Sequence, residues 1–154
     1  MPLQNITISK MLCDVKGDNA SLIIRNISPS LSKDINLSAM ATHQKLEDLL
    51  KTSMIGIGDG VAVFDWVSDK VEMPYILCAK LDTPTEFPSV DKKMIDIVLV
   101  LVSPDKYGPL HLQYLSRLTR MFREEKLLTA IRSVTSVDGM VAVLSSDKTQ
   151  PIAA

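Results

Sequence analysis

The chain has 154 residues, 46% hydrophobic and 23% charged, the composition of a soluble globular protein, which excludes a disordered or collagen-like one. Its 17 Lys and Arg against 18 Asp and Glu give a formal net charge of -1, so there is no global basic footprint for nucleic acid and no acidic tail. One domain over residues 1–154 is expected, with about 148–154 as a frayed tail.

Residues 1–11 lack a basic segment followed by an apolar block, so no secretory signal is expected. The first of these residues alternate in character, with Ile6 and Ile8 ahead of Met11-Leu12. Lys16-Gly17-Asp18-Asn19 then reads as a turn and helix-capping cluster. Leu22, Ile23, Ile27 and Leu31 recur at three- and four-residue steps, the spacing of one buried helical stripe, and Pro29 is expected to kink or shorten its last turn. A second helix is expected from about Ser38 to Leu50. Leu46, Leu49 and Leu50 form its apolar face, while His43, Lys45, Glu47 and Asp48 form a solvated one.

The period changes in the middle of the chain. Gly56, Gly58 and Gly60 lead into Val61-Ala62-Val63-Phe64, Val71 to Leu81 is mostly apolar, and Ile95 to Val102 is nearly continuous in β-branched residues and leucine. Three strands are predicted, the last lying centrally in a sheet covered on both faces. Its core run, Ile97 to Val102, is far short of the ~20 residues a membrane helix needs, so no membrane insertion and a cytoplasmic location are expected. Asp82 to Ser89, punctuated by Pro84 and Pro88, reads as a polar loop. Beyond Ser103-Pro104, His111, Leu115, Leu118 and Phe122 share one face of a long helix whose first turn Pro109 suits. Lys126 to Val134 forms a shorter helix, and Ser136 caps a last one containing Met140, Val141 and Leu144. Cys13 and Cys78 have no CxxC spacing or His-rich neighbour, so they are expected to be buried or inert, with no disulfide scaffold, metal or cofactor.

Three features could carry chemistry. Gly56-Ile57-Gly58-Asp59-Gly60 has GxGxG spacing and opens a strand, whereas phosphate-cradling glycine loops open a helix; it reads as a tight backbone bend. Asp65 and Trp66, the sole tryptophan, follow directly on an apolar strand, which is also what a strand leaving the core looks like. His111 falls in the first turn of the long helix, where free backbone N–H groups and the positive end of the helix dipole favour an anion. A helix-start histidine in partial contact with the core would occupy the same place.

Taken together, these pieces resemble a known family. Ser53-Met54-Ile55-Gly56-Ile57-Gly58-Asp59-Gly60-Val61-Ala62-Val63-Phe64-Asp65 looks like the signature S-T-G-I-G-N-G-I-A-I-P-H of the type-2 enzyme IIA domains of the bacterial phosphotransferase system, and the glycine-rich form points to their nitrogen-regulatory branch. Asp96 to Pro104 is similar to the family's V-D-L-V-F-A-L-L-x-P strand, His111 to Ser116 to its H-[LI]-x-x-L-[ST] helix start, and Thr135 to Asp138 falls where the family opens its last helix. The resemblance covers about Asn19 to Leu144. It implies an α/β fold, a mixed sheet of about four or five strands with helices on both faces.

Asp65 occupies the position where the family carries its phosphoacceptor histidine, since Phe64-Asp65 replace Pro-His. Leu49 falls at the family's supporting arginine, with Lys51 nearby as a partial substitute, and His111 matches the auxiliary active-site histidine. A carboxylate does not simply repeat the attack of a neutral imidazole on phosphorus: it can form an acyl phosphate, but such sites normally hold Mg²⁺ in an acidic cluster, and no such cluster adjoins Asp65 in the sequence. At neutral pH it carries about one negative charge, against roughly -1.5 to -2 for a phosphorylated side chain, so it is a weak, permanent imitation of the phosphorylated state. The resemblance thus implies a regulatory protein that binds a partner without histidine phosphoryl relay, with Asp65 and His111 facing each other. The alternative is an active phosphocarrier using His111 or Asp65 as an altered acceptor, and a third reading is a homologue with no surviving pocket. The partner is a phosphocarrier protein or a regulated target protein, and there is room for a homodimer.

Overall fold

The computed structural model describes residues 6–145. A five-stranded mixed sheet forms its centre. The strands are β1 (Lys10–Val15), β2 (Gly56–Gly58), β3 (Val61–Ser68), β4 (Tyr75–Thr85) and β5 (Ile95–Pro104), in the spatial order β1-β4-β5-β3-β2. β1 runs parallel to β4 and β3 parallel to β5, while β4–β5 and β2–β3 are antiparallel. Helices α1 (Ala20–Asp34) and α2 (Ala39–Thr52) cover one face. The other carries α3 (Leu110–Met121), α4 (Glu125–Ser133) and α5 (Val137–Leu144).

The alternation of side chains along a strand divides β5 cleanly. Val98, Val100 and Val102 point to the α1–α2 side and Ile97, Leu99 and Leu101 to the α3–α5 side, all fully buried. This is why the run reads as continuously apolar: both faces are covered. In β3 the same rule sends Ala62, Phe64 and Trp66 to the first core, where Phe64 meets Phe87 edge-on with ring centroids 6.5 Å apart. Val61 and Val63 go to the second.

The helix starts follow their capping residues. Asn19 accepts from the Leu22 N–H (2.9 Å), Ser38 from the Ala41 N–H (3.0 Å) and Ser136 from the Gly139 N–H (3.1 Å). Two expectations fail for a local reason. α1 is not shortened by Pro29 but continues five residues past it to Asp34; the residue whose carbonyl Pro29 cannot serve, Arg25, is on the exposed side of the helix. β4 runs through the predicted loop as far as Thr85: Pro84 is exposed and lies beyond the last β1 pairing, Val15 with Leu81, so no ladder donor is required of it. At its other end β4 starts at Tyr75, not Val71. The expected tail at 148–154 lies outside the described residues.

The glycine segment is a hairpin, β2 to β3. Gly58, Asp59 and Gly60 have φ of 117°, 56° and 82°, a succession that glycine supplies cheaply. Gly56 has a second role, since a Cβ there would lie 2.5–2.7 Å from atoms of Ser89, including backbone. Asp91 pins the hairpin to the segment before β5. Its carboxylate accepts from the Asp59 N–H (3.0 Å), the Lys93 N–H (3.1 Å) and the Ser89 hydroxyl (2.8 Å). These donors, the Asp59 N–H foremost, hold its pKa down at about 2.

Candidate functional site

Position 65 continues the parity of Val61 and Val63, so β3 turns Asp65 toward α3. On β5, Ser103 has the parity of Ile97, Leu99 and Leu101 and faces the same way. The parallel register sets Asp65 beside Leu101 and Val67 beside Ser103. The chain then passes through a short 3₁₀ turn (Asp105–Tyr107) and Gly108 into α3, which lowers His111 between the two strands. His111 Nε2 is 2.8 Å from Asp65 Oδ2, and its Nδ1 is 2.8 Å from Ser103 Oγ. Both neighbours of the ring are thus filled.

Chemistry assigns the protons. A carboxylate only accepts, so Nε2 carries a hydrogen and donates it to Asp65. The Ser103 hydroxyl can donate to an unprotonated Nδ1 or accept from a protonated one, and satisfies the ring in either state. In the neutral ring the nucleophilic lone pair is therefore on Nδ1, which faces Ser103, a residue with 0% exposure. Held in this way, His111 presents no lone pair to an approaching phosphorus. Asp65 is more open: its side chain is 35% exposed, against 10% for His111.

Ser, His and Asp together have the composition of a hydrolytic triad, but the wiring differs. In such triads the serine sits where a substrate carbonyl can reach it. Ser103 is sealed under α3 and serves to orient the imidazole. Sequence reasoning missed it, taking Ser103-Pro104 as the end of a strand. The available signal was period two, since Ser103 is in phase with Ile97, Leu99 and Leu101.

The structure brings together Asp65 and His111 but not the other residues singled out. Leu49 packs against the core on the α1–α2 side, the opposite face of the sheet from His111. Lys51 is exposed in the last turn of α2 and, among the described residues, makes no ion pair. His43 is half-buried instead of solvated, with Nε2 3.3 Å from Glu47 Oε2 one turn on but without the alignment of a hydrogen bond. Cys78 is buried, which pushes its thiol up to about 12; Cys13 is half-buried, and the two are unbonded. Among the described residues no cluster of three or more His, Cys, Asp or Glu is placed to hold a metal, and no helix is long and apolar enough to cross a membrane.

Known proteins share this arrangement of elements. A nitrogen regulatory protein of Bradyrhizobium diazoefficiens is 29% identical over 117 residues, 74% of this chain and 76% of that protein. The crystal structure of nitrogen regulatory protein IIA-Ntr from Neisseria meningitidis superposes with a TM-score of 0.79 at 21% identity, covering 88% of this chain and 93% of that one. The complex of enzyme IIAMTL with phosphorylated enzyme IIBMTL from Escherichia coli gives a TM-score of 0.70 at 17% identity, over 93% and 99% of the chains. At these identities the two structures establish the fold. The family model of the phosphoenolpyruvate-dependent sugar phosphotransferase system, EIIA 2, matches residues 5–147, a span that contains the glycine hairpin, both cores and the Asp65–His111 pair, and the chain belongs to that family.

Proposed function

We propose that this protein is a regulator of the nitrogen-regulatory type, a single cytoplasmic domain that acts on partner proteins by contact without the normal histidine phosphoryl relay. The observation that carries the reading is the 2.8 Å contact between Asp65 and His111 Nε2. Asp65 stands at the position that the resemblance gives to the phosphoacceptor, and its carboxylate already occupies the one ring nitrogen of His111 that faces out of the core. Nothing that a phosphoryl group would need is free there. Relay requires a neutral nitrogen lone pair aimed at phosphorus and charge to neutralise the transferring group. Here the lone pair is turned inward and Leu49 brings no charge.

A fixed carboxylate beside His111 gives the surface a permanent partial negative charge, about half that of a phosphorylated residue. A partner that discriminates between phosphorylated and unphosphorylated forms would meet a weak, permanent imitation of the former. The relative whose structure is a complex, enzyme IIAMTL with phosphorylated enzyme IIBMTL, shows that this fold is recognised by another protein.

Incubation with phosphoenolpyruvate and the upstream phosphotransferase proteins tests the proposal. No acid-labile, histidine-type label is expected. Robust label that disappears in His111→Ala would overturn it, and a hydroxylamine-sensitive label lost in Asp65→Asn would establish an active carrier with an altered acceptor.

A further inference from the structure

A cleft lies at the other end of the strands that carry Asp65 and Ser103. It opens beside Gly60, where β3 begins, roughly 16 Å along the strand from Asp65. Its volume is about 850 Å³, within the usual range for small-molecule sites.

Paired charges contribute to its lining. Arg132 on α4 donates Nε–H to Asp96 Oδ2 (2.8 Å) and a terminal N–H to Asp96 Oδ1 (2.9 Å), and it also donates to the carbonyl of Asp59. Gly60 makes room for this: a Cβ there would fall 2.6 Å from the guanidinium and 2.9 Å from Asp96 Oδ1. Lys93 Nζ lies 3.7 Å from Asp59 Oδ1. Two charges on the wall remain. Arg123 and Glu125 both line the cleft and, among the described residues, neither side chain makes an ion pair. Pro84, Leu128 and Met94 add apolar surface to the lining, the last 53% exposed.

This pattern selects a ligand by sign. A phosphate or dicarboxylate finds one unpaired cation, Arg123, and is repelled by the unpaired Glu125. A diamine meets the reverse problem at Arg123. A molecule with one charge of each sign satisfies both free groups, with its carboxylate on Arg123 and its ammonium on Glu125. The apolar wall then accepts an aliphatic side chain. We propose that this cleft binds a free α-amino acid with an aliphatic side chain. The site is separate from the Asp65–His111 pair and does not rest on the regulatory reading above.

The test is an NMR titration of the full chain with L-leucine, set against isocaproate, which lacks its ammonium, and isoamylamine, which lacks its carboxylate. Saturable shifts are expected for L-leucine at the amides of 59–60, 94–96 and 123–132, with both half-ligands binding more weakly. Arg123 and Glu125 are exposed, so Arg123→Gln and Glu125→Gln will fold, and each is expected to weaken L-leucine binding about five-fold, the worth of one exposed charge contact. Absence of saturable shifts with L-leucine, isocaproate binding as well as L-leucine, or full affinity in Glu125→Gln would each overturn the proposal.

Discussion

The Ser103–His111 contact can be weighed directly by a double-mutant cycle. Ser103→Ala leaves His111 Nδ1 without a partner in a side chain that is only 10% exposed, at a cost of about 1–3 kcal/mol. His111→Leu is the better choice on the other side, because leucine fills the space and denies water access to the serine. It leaves the Ser103 hydroxyl orphaned in a residue with no exposure, again about 1–3 kcal/mol. It also releases Asp65, but that carboxylate is a third exposed and rehydrates, adding roughly 0–1 kcal/mol. In the double variant neither orphan exists. Its destabilisation should therefore fall short of the sum of the single variants by about 2 kcal/mol or more, the two orphan penalties taken at their lower ends, well outside the roughly 0.3–0.5 kcal/mol within which independent sites add. Urea unfolding followed by Trp66 fluorescence provides the assay, since the only tryptophan is 7% exposed and adjoins Asp65 in β3. Additive energies would refute the claim that Ser103 holds the ring.

Two further predictions concern the glycine hairpin. Gly56→Ala should cost more than about 2 kcal/mol by thermal or urea unfolding, because the new methyl meets the Ser89 backbone at 2.7 Å and neither side can withdraw without breaking the hairpin; a change within about 0.5 kcal/mol would contradict the close approach. Asp91 has a folded pKa of about 2, below its ordinary 3.8, so its contribution is present above about pH 4 and is lost as the pH falls toward 2. The stability gap between the natural chain and Asp91→Asn should accordingly narrow over that interval, and a gap that holds constant from pH 5 to pH 2 would show that the carboxylate charge does not pin the loop.

Much of this architecture was legible because local chemistry and burial agree. Asn19, Ser38 and Ser136 announce helices that the structure caps as expected, and the apolar run before Pro104 is the doubly covered central strand. The errors arose where solvent relaxes a local rule. Pro29 lies on the exposed side of its helix and Pro84 extends a strand past its β1 neighbour, so neither ends its element as it would in a buried one. Strand order could not be read, since β3 and β5 pair in parallel across the intervening β4. Ser103 escaped notice for another reason: its period-two phase with Ile97, Leu99 and Leu101 puts it on the α3 face, but the turn through Gly108 that brings His111 back over it is not written in the periodicity. Asp65 and His111 could be found through resemblance, but that they meet follows from the β3–β5 pairing, which sets two strands distant in sequence side by side.

The alternation of β3 has a consequence for how the chain finds its fold. Asp65 is a carboxylate set between Phe64 and Trp66, two aromatic residues that belong to the opposite core. Sliding β3 by one residue would exchange the three, driving the acid among the valines and leucines beneath α1 and α2 and forcing the rings against α3. A buried, unpaired carboxylate costs several kcal/mol, enough to empty that misaligned state. The same side chain that meets His111 thus acts earlier as a register mark, permitting one alignment of β3 against β5.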